Sequence, residues 1–354
     1  MATSCYRNGP LHTGLTRMND DRNNRPPVQR AVCFLDLLGF KDAVNDHFDS
    51  ATRLLEDYGE VLLSTIQDGR MHAVASYGTP ELRRIAEHPL ITSFCHFLPM
   101  SDSVYIVSED PSLLVLQVAH FMVNCFWLRS SAFEFPEATD PRTVNVADIS
   151  RTGGSNNGKN REELWLPVLF RGGMSSREVR IYDAPNVSEG KLTHRQNILG
   201  KGVIEAVSLE KSGAKGPVLL CPMGFDAQLT NDAKKYVGKI EIAGKPFLEV
   251  CWPIALFETA ENLNDALNNE FGRFLRVILN LLKYFSRGPF EAHYLDFGRL
   301  AIRSALQNFP SGRDALAAHI ERHAVDSELI SCLLGVQTNQ EARATPSSGG
   351  EAHP

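Results

Sequence analysis

Apolar positions along this chain fall into short dense runs that alternate with longer, spaced ones. In "AVCFLDLLGF", residues 31–40, eight of ten positions are apolar, which predicts a core strand over Ala31–Leu38. Lys41–Ile66 places Val44, Phe48, Leu54, Leu55, Val61 and Leu62 at helical spacing. "LITSFCHFLPMSDSVYIVSED" then reads as two strands joined by a tight Pro-Met-Ser-Asp-Ser turn. Asp110, followed by Pro111, supplies a cap for a long apolar helix that runs through Phe126 and Trp127.

Further along, "LWLPVLFRGGMSS" predicts a buried strand that ends in a glycine pair, and "ILGKGVIEAVSLEKSG" a helix stopped by Gly213. "GPVLLCP" predicts a short strand, and "KIEIAGKPFLEVCW" a hairpin turning at Ala-Gly-Lys. From Asn262 the spacing is helical, with Pro310 breaking the run. The succession predicts an α+β sandwich with a helical C-terminal extension. The expected organisation is a polar tail over 1–30, a main α+β domain over 31–255, helices over 256–336 and a second polar tail over 337–354. Residues 135–161 read as a polar insertion. Within it "GGSNNGKN" has Asn160 where a phosphate-binding loop needs a hydroxyl, and no apolar strand leads into it, so it reads as a plain loop.

Composition narrows the function. The 354 residues carry a net charge of −6, so no global basic field exists to hold long nucleic acid. Seven scattered cysteines without a CxxC pair predict reduced core thiols. No apolar run reaches spanning length and the polar N-terminus has no signal core, so a soluble, cytoplasmic protein with no membrane partner is expected.

The candidate chemistry starts from Asp36, a carboxylate inside the first apolar run, and Asp102, at the turn of the next strand pair. Strands close in sequence usually neighbour one another, so the two carboxylates are expected to converge, and a divalent metal is the natural partner of such a pair. Gly39 and Phe40 follow at a strand-to-helix corner, where backbone N–H groups favour phosphate. Lys41 is placed to meet phosphate or simply to sit in solvent. The pattern alone leaves a second reading open, with Asp36 a helix cap and Asp102 an ordinary turn residue.

"FLDLLGF" and "MSDSVYIV" resemble the two metal motifs of the class III nucleotidyl cyclases. "LFRGGMSS", "LGKGVIEAVSLE" and "GPVLLCP" resemble the segments that follow in that superfamily, in the same order. The closest resemblance is to the bacterial pyrimidine cyclases of Pycsar anti-phage defence. It implies a class III cyclase-type βαββαβ sandwich acting as a homodimer with shared active sites. By the same resemblance Asp36, Asp102 and the Leu37 backbone carbonyl hold two divalent cations, Mn²⁺ or Mg²⁺. The implied substrate is UTP, with CTP second, and the cyclic product acts on a separate effector.

The sequence departs from the family at four places. Ile204 and Ser208 stand where the family has a transition-state Asn and Arg, which leaves Arg171, Lys201 or Arg195 to supply charge. Leu98 and Asn197 stand at the base-reading positions, where a purine reader is absent and an amide remains. His96 reads as a core histidine, and the aromatic run broken at Arg287–Gly288 as helix packing. A catalytically inactive nucleotide-binding module is the competing class of function. A cyclic-dinucleotide synthase would need a Gly-Gly-acidic-Glu-Phe hairpin, which "MSDSVY" lacks.

Overall fold

The computed structural model describes residues 26–46, 48–49, 51–52, 55–56, 59, 96–130, 133, 143–145, 162–164, 167–188, 191–285, 288, 290–323 and 332–334. The tails at 1–25 and 337–354, "GGSNNGKN", Arg287 and the expected helix beyond residue 59 lie outside the described residues.

The central strand β1 (Val28–Leu37) leads into α1 (Phe40–Asp46). The hairpin of β2 (His96–Met100) and β3 (Ser103–Ser108) follows, then α2 (Pro111–Ser130). The Asp110 carboxylate accepts from the Ser112 and Leu113 N–H groups at 2.8 and 3.1 Å, which caps α2 where the sequence placed its start. A small separate pair joins β4 (Thr143–Asn145), in the region read as an insertion, to β5 (Glu162–Leu164), which starts just after it. β6 (Phe170–Ser188) and β7 (Lys191–Gly200) form a long hairpin, followed by α3 (Lys201–Glu210) and β8 (Leu219–Cys221).

The main sheet runs β2-β3-β1-β6-β8-β10-β9, with β7 on the outer half of β6. β1 is antiparallel to both β3 and β6, so β1-α1-β2-β3-α2-β6 is the split βαββαβ arrangement. β9 (Val237–Ile242) and β10 (Lys245–Val250) close the far edge through Ala243 and Gly244. Both turn residues have positive φ, 50° and 74°, as a type I′ turn requires.

Alternation along β1 sorts the two faces. Ala31, Cys33, Leu35 and Leu37 enter the main core with α2 and the C-terminal helices. Val32 and Phe34 face the other way, with Leu98, Val107, Val179, Ile198 and Ala206. Helices α5 (Leu263–Asn268), α6 (Glu270–Tyr284), α7 (Glu291–Asn308) and α8 (Arg313–His323) follow the short helix α4 (Asn231–Lys234). The α6 and α7 rings Phe274 and Phe297 lie 4.8 and 5.4 Å from Phe126 of α2 and 5.7 and 5.5 Å from Trp252, so the helical segment shares the core of the sheet. Arg303 of α7 meets buried Glu249 of β10 through three contacts of 2.8–3.1 Å. Among the described residues no helix is long and apolar enough to cross a membrane.

Two sequence expectations are corrected here. The strand expected to end at the glycine pair instead begins at Phe170 and continues through Gly172 and Gly173 to Ser188. The glycines mark close approach: a Cβ on Gly172 would stand 2.0 Å from the Phe34 carbonyl oxygen, and one on Gly173 2.2 Å from that of Ala206. The helix expected from Ile198 starts at Lys201, because the preceding residues form β7.

Candidate active site

Asp36 sits near the C-terminal end of β1, with Ser103 of β3 opposite on one side and Arg171 of β6 on the other. The next residue, Leu37, donates its N–H to the Asp102 carbonyl at 3.0 Å. In an antiparallel ladder that makes Asp36 and Ser103 the pair without backbone bonds, where side chains stand closest. The Ser103 hydroxyl accordingly donates to Asp36 Oδ1 at 2.8 Å.

Asp102 belongs to the two-residue turn Ser101-Asp102 between β2 and β3. Ser101 has φ 60° and Asp102 does not share a positive φ, the pattern of a type II′ turn. Register and strand spacing put the Asp36 and Asp102 Cα atoms about 6 Å apart. The convergence expected from the strand pattern is therefore present in the backbone.

The Asp36 side chain is 24% exposed, and its Oδ2 lies 3.6 Å from an Arg171 guanidinium nitrogen. Arg171 Nε is closer to Glu210, 2.5 Å from Oε1, an ion contact whose angle is not that of a hydrogen bond. Glu210 is the last residue of α3 and its side chain is 5% exposed. Ser103, Asp36, Arg171 and Glu210 thus form one polar chain across β3, β1, β6 and α3. His293 of α7 lies beyond it, accepting the Gly216 N–H at Nδ1 at 3.1 Å. Desolvation first, then Lys215 and Arg171, push the His293 ring below its ordinary pKa.

The remaining predicted residues divide between this corner and the opposite end of the sheet. Gly39, at φ 75°, turns the chain into α1 and has open space where a Cβ would be. Phe40 packs against the main core and Lys41 is exposed. Lys201 instead pairs with Glu178 at 2.9 Å, and Glu178 is in register with Gln29. Gln29 is seven residues from Asp36 along β1, about 24 Å at strand spacing. Asn197 accepts the N–H of Ile198 at 2.8 Å on its side-chain oxygen, in the same outer hairpin. Arg195 donates to the Pro99 carbonyl, and His96 meets Gln196 at 3.0 Å. Leu98 is buried on the Phe34 face, so its side chain contributes packing. Ile204 is 69% exposed on α3, and Ser208 returns its hydroxyl to the Ile204 carbonyl at 2.7 Å.

Sequence reasoning passed over Ser103 and Glu210. Ser103 was visible only as a flank of Asp102. Glu210 had a usable signal: a carboxylate in the last turn of a helix opposes the helix dipole, so it needs a cation close by.

The residues at this corner fit a divalent cation whose shell is completed from outside the protein. Two carboxylates are the protein share of many Mg²⁺ sites, with phosphates and water completing the shell. A guanidinium already stands at Asp36 Oδ2 as a stand-in cation. Among the described residues no group of three or more His, Cys, Asp or Glu side chains gathers into a self-sufficient metal cage.

No protein-family model and no curated protein matches the chain. Two solved structures of adenylate cyclases from Trypanosoma brucei in their monomeric state align with 66% and 65% of this chain, and with 94% and 92% of their own length. Identities are 14% and 15%, with TM-scores of 0.36 and 0.33.

Proposed function

We propose that this chain is a nucleotidyl cyclase that converts UTP to 3′,5′-cyclic UMP and pyrophosphate. The observation that carries the reading is the βαββαβ order, which sets Asp36 at the end of the central strand beside Asp102 at the adjacent hairpin tip. Two bound divalent cations, Mn²⁺ or Mg²⁺, would lower the barrier to attack by the ribose 3′-oxygen and neutralise charge at the α-phosphate. Asp36, Asp102 and the Leu37 carbonyl would hold them, and Ser103 keeps the Asp36 carboxylate turned to its task. Arg171, 3.6 Å from Asp36, takes the charge-stabilising role that Ile204 and Ser208 do not fill.

A homodimer follows from distance. Lys201 stands about 24 Å from Asp36 in its own chain by strand spacing, so a second copy must bring it to the site. The uracil preference rests on Asn197. Its oxygen already accepts the Ile198 N–H, which leaves the amide NH₂ to donate, and uracil offers a carbonyl where cytosine offers an amine. We further propose that the product acts on a separate cyclic-nucleotide-binding effector in anti-phage defence.

One observation favours a second reading. Arg171 stands 3.6 Å from Asp36 as a counter-ion from the protein itself, as it would in a nucleotide-binding module that has lost catalysis. Incubation with each of the four NTPs and Mn²⁺, followed by mass spectrometry, separates the two. Cyclic UMP from the wild-type protein and none from Asp36→Ala supports the cyclase. No cyclic product from any NTP sinks it, and product from ATP or GTP alone removes the pyrimidine assignment.

A further inference from the structure

We infer that Arg171 is a built-in counter-ion for Asp36, and that Glu210 is the positioning residue that holds it far enough away for a divalent cation to enter. The inference rests on the reading of Asp36 as a metal ligand and adds a control on that ligand's availability.

The geometry is asymmetric. Arg171 is in direct register with Asp36, yet its guanidinium is 2.5 Å from Glu210 and 3.6 Å from Asp36. Attraction grows as separation and solvent exposure fall. Glu210, with a side chain 5% exposed against 24% for Asp36, has the stronger hold on both counts.

The position of Glu210 is set by packing. Gly173 has no Cβ, so α3 lies on β6 with the Ala206 carbonyl and Leu209 over that glycine. The last turn of α3 then delivers Glu210 above Arg171. His293 of α7 interacts electrostatically with both Arg171 and Lys215, so α7 also bears on the guanidinium.

Two consequences follow from this arrangement. Removing the Glu210 charge leaves Asp36 as the nearest carboxylate in the chain of contacts. The guanidinium then closes on Asp36, where a two-pronged Arg–carboxylate pair competes with any incoming cation. Removing Arg171 has the opposite effect and frees both Asp36 oxygens. Shortening Glu210 to Asp keeps the charge but withdraws it by one methylene, so it separates a positioning role from a mere contribution to the local field.

The test is a Mn²⁺ titration followed by EPR, without nucleotide, on full-length protein whose fold is checked by circular dichroism. Glu210→Gln and Glu210→Asp are each expected to weaken Mn²⁺ binding about 10-fold, and Arg171→Met to tighten it about 5-fold. The double variant Arg171→Met/Glu210→Gln removes both charges together, so it serves even if Arg171→Met alone fails to fold. It is expected to bind at least as tightly as wild type. Wild-type affinity in Glu210→Asp, or a double variant as weak as Glu210→Gln, overturns the inference. Asp36→Ala serves as the separate control. If it titrates like wild type, the metal reading itself fails. If it loses binding while Glu210→Asp does not change it, only the present inference fails.

Discussion

Gly173→Ala tests how the sheet positions the site. The added methyl would stand 2.2 Å from the Ala206 carbonyl oxygen and 2.6 Å from Leu209 Cβ, where ordinary contacts begin at 3.4 Å. Neither obstacle is the far end of a flexible side chain, so α3 must lift from β6 by about 1 Å. Overpacking of this kind costs about 1–3 kcal/mol. A gap of that size also forfeits a quarter to a half of the dispersion energy along the buried Ala206 and Leu209 contacts. Together these give a loss of about 2–4 kcal/mol, or about 4–16 °C in Tm at 2–4 °C per kcal/mol. Urea titration followed by far-UV circular dichroism reads the loss as a fall in midpoint at unchanged slope. The lifted helix also carries Glu210 away from Arg171, so Mn²⁺ affinity should fall in the same direction as in Glu210→Asp. A stability change below about 0.5 kcal/mol, within the range of neutral surface changes, would refute the claim that close α3–β6 contact sets the site.

Three further outcomes are expected. Arg303→Met leaves the Glu249 carboxyl unpaired and 1% exposed, and should cost about 3–5 kcal/mol; Arg303→Met/Glu249→Gln should recover most of it. Burial first, then His323, Arg322 and Arg276, lower His319 to about 4 in the folded chain, below the usual 6.5. The unfolded ring therefore binds its proton first, and stability is full above about pH 6.5 and lost towards pH 4, by about 1–2 kcal/mol after allowance for solvent screening. His319→Gln should flatten that part of the pH–stability curve, and an unchanged curve would count against the assignment. Mixing inactive Asp36→Ala with inactive Lys201→Ala should restore cyclase activity through one intact shared site per mixed dimer, whereas a site contained within one chain gives no recovery.

The parts of this fold that were legible in the sequence are those with strong local punctuation. The dense run before Gly39, the Ser-Asp turn, the Asp110-Pro cap and the Ala-Gly turn each fixed an element to within a few residues. β7 was missed because its first six residues, Lys191–Gln196, are all exposed and carry no alternation. From sequence the glycine pair reads as a strand end, because glycine usually punctuates. Here it permits two close backbone approaches inside a 19-residue strand.

Site legibility divides in the same way. Asp36 and Asp102 stood out because a carboxylate in or beside an apolar run needs a reason. Glu210 and Ser103 act through partners 171 and 36, distant in sequence, and only register and the α3–β6 crossing bring them together. The separation of Lys201 from Asp36 was invisible for the same reason, since it depends on which strands pair and on how far along they do so.

The most direct test of the central claim is anomalous diffraction at the manganese edge, from crystals grown with Mn²⁺ and a non-hydrolysable UTP analogue. The account predicts manganese peaks between Asp36 and Asp102, about 2.1 Å from carboxylate oxygens, with Arg171 drawn off Asp36 Oδ2. Arg171 still seated against Asp36, with no manganese at either carboxylate, would contradict it.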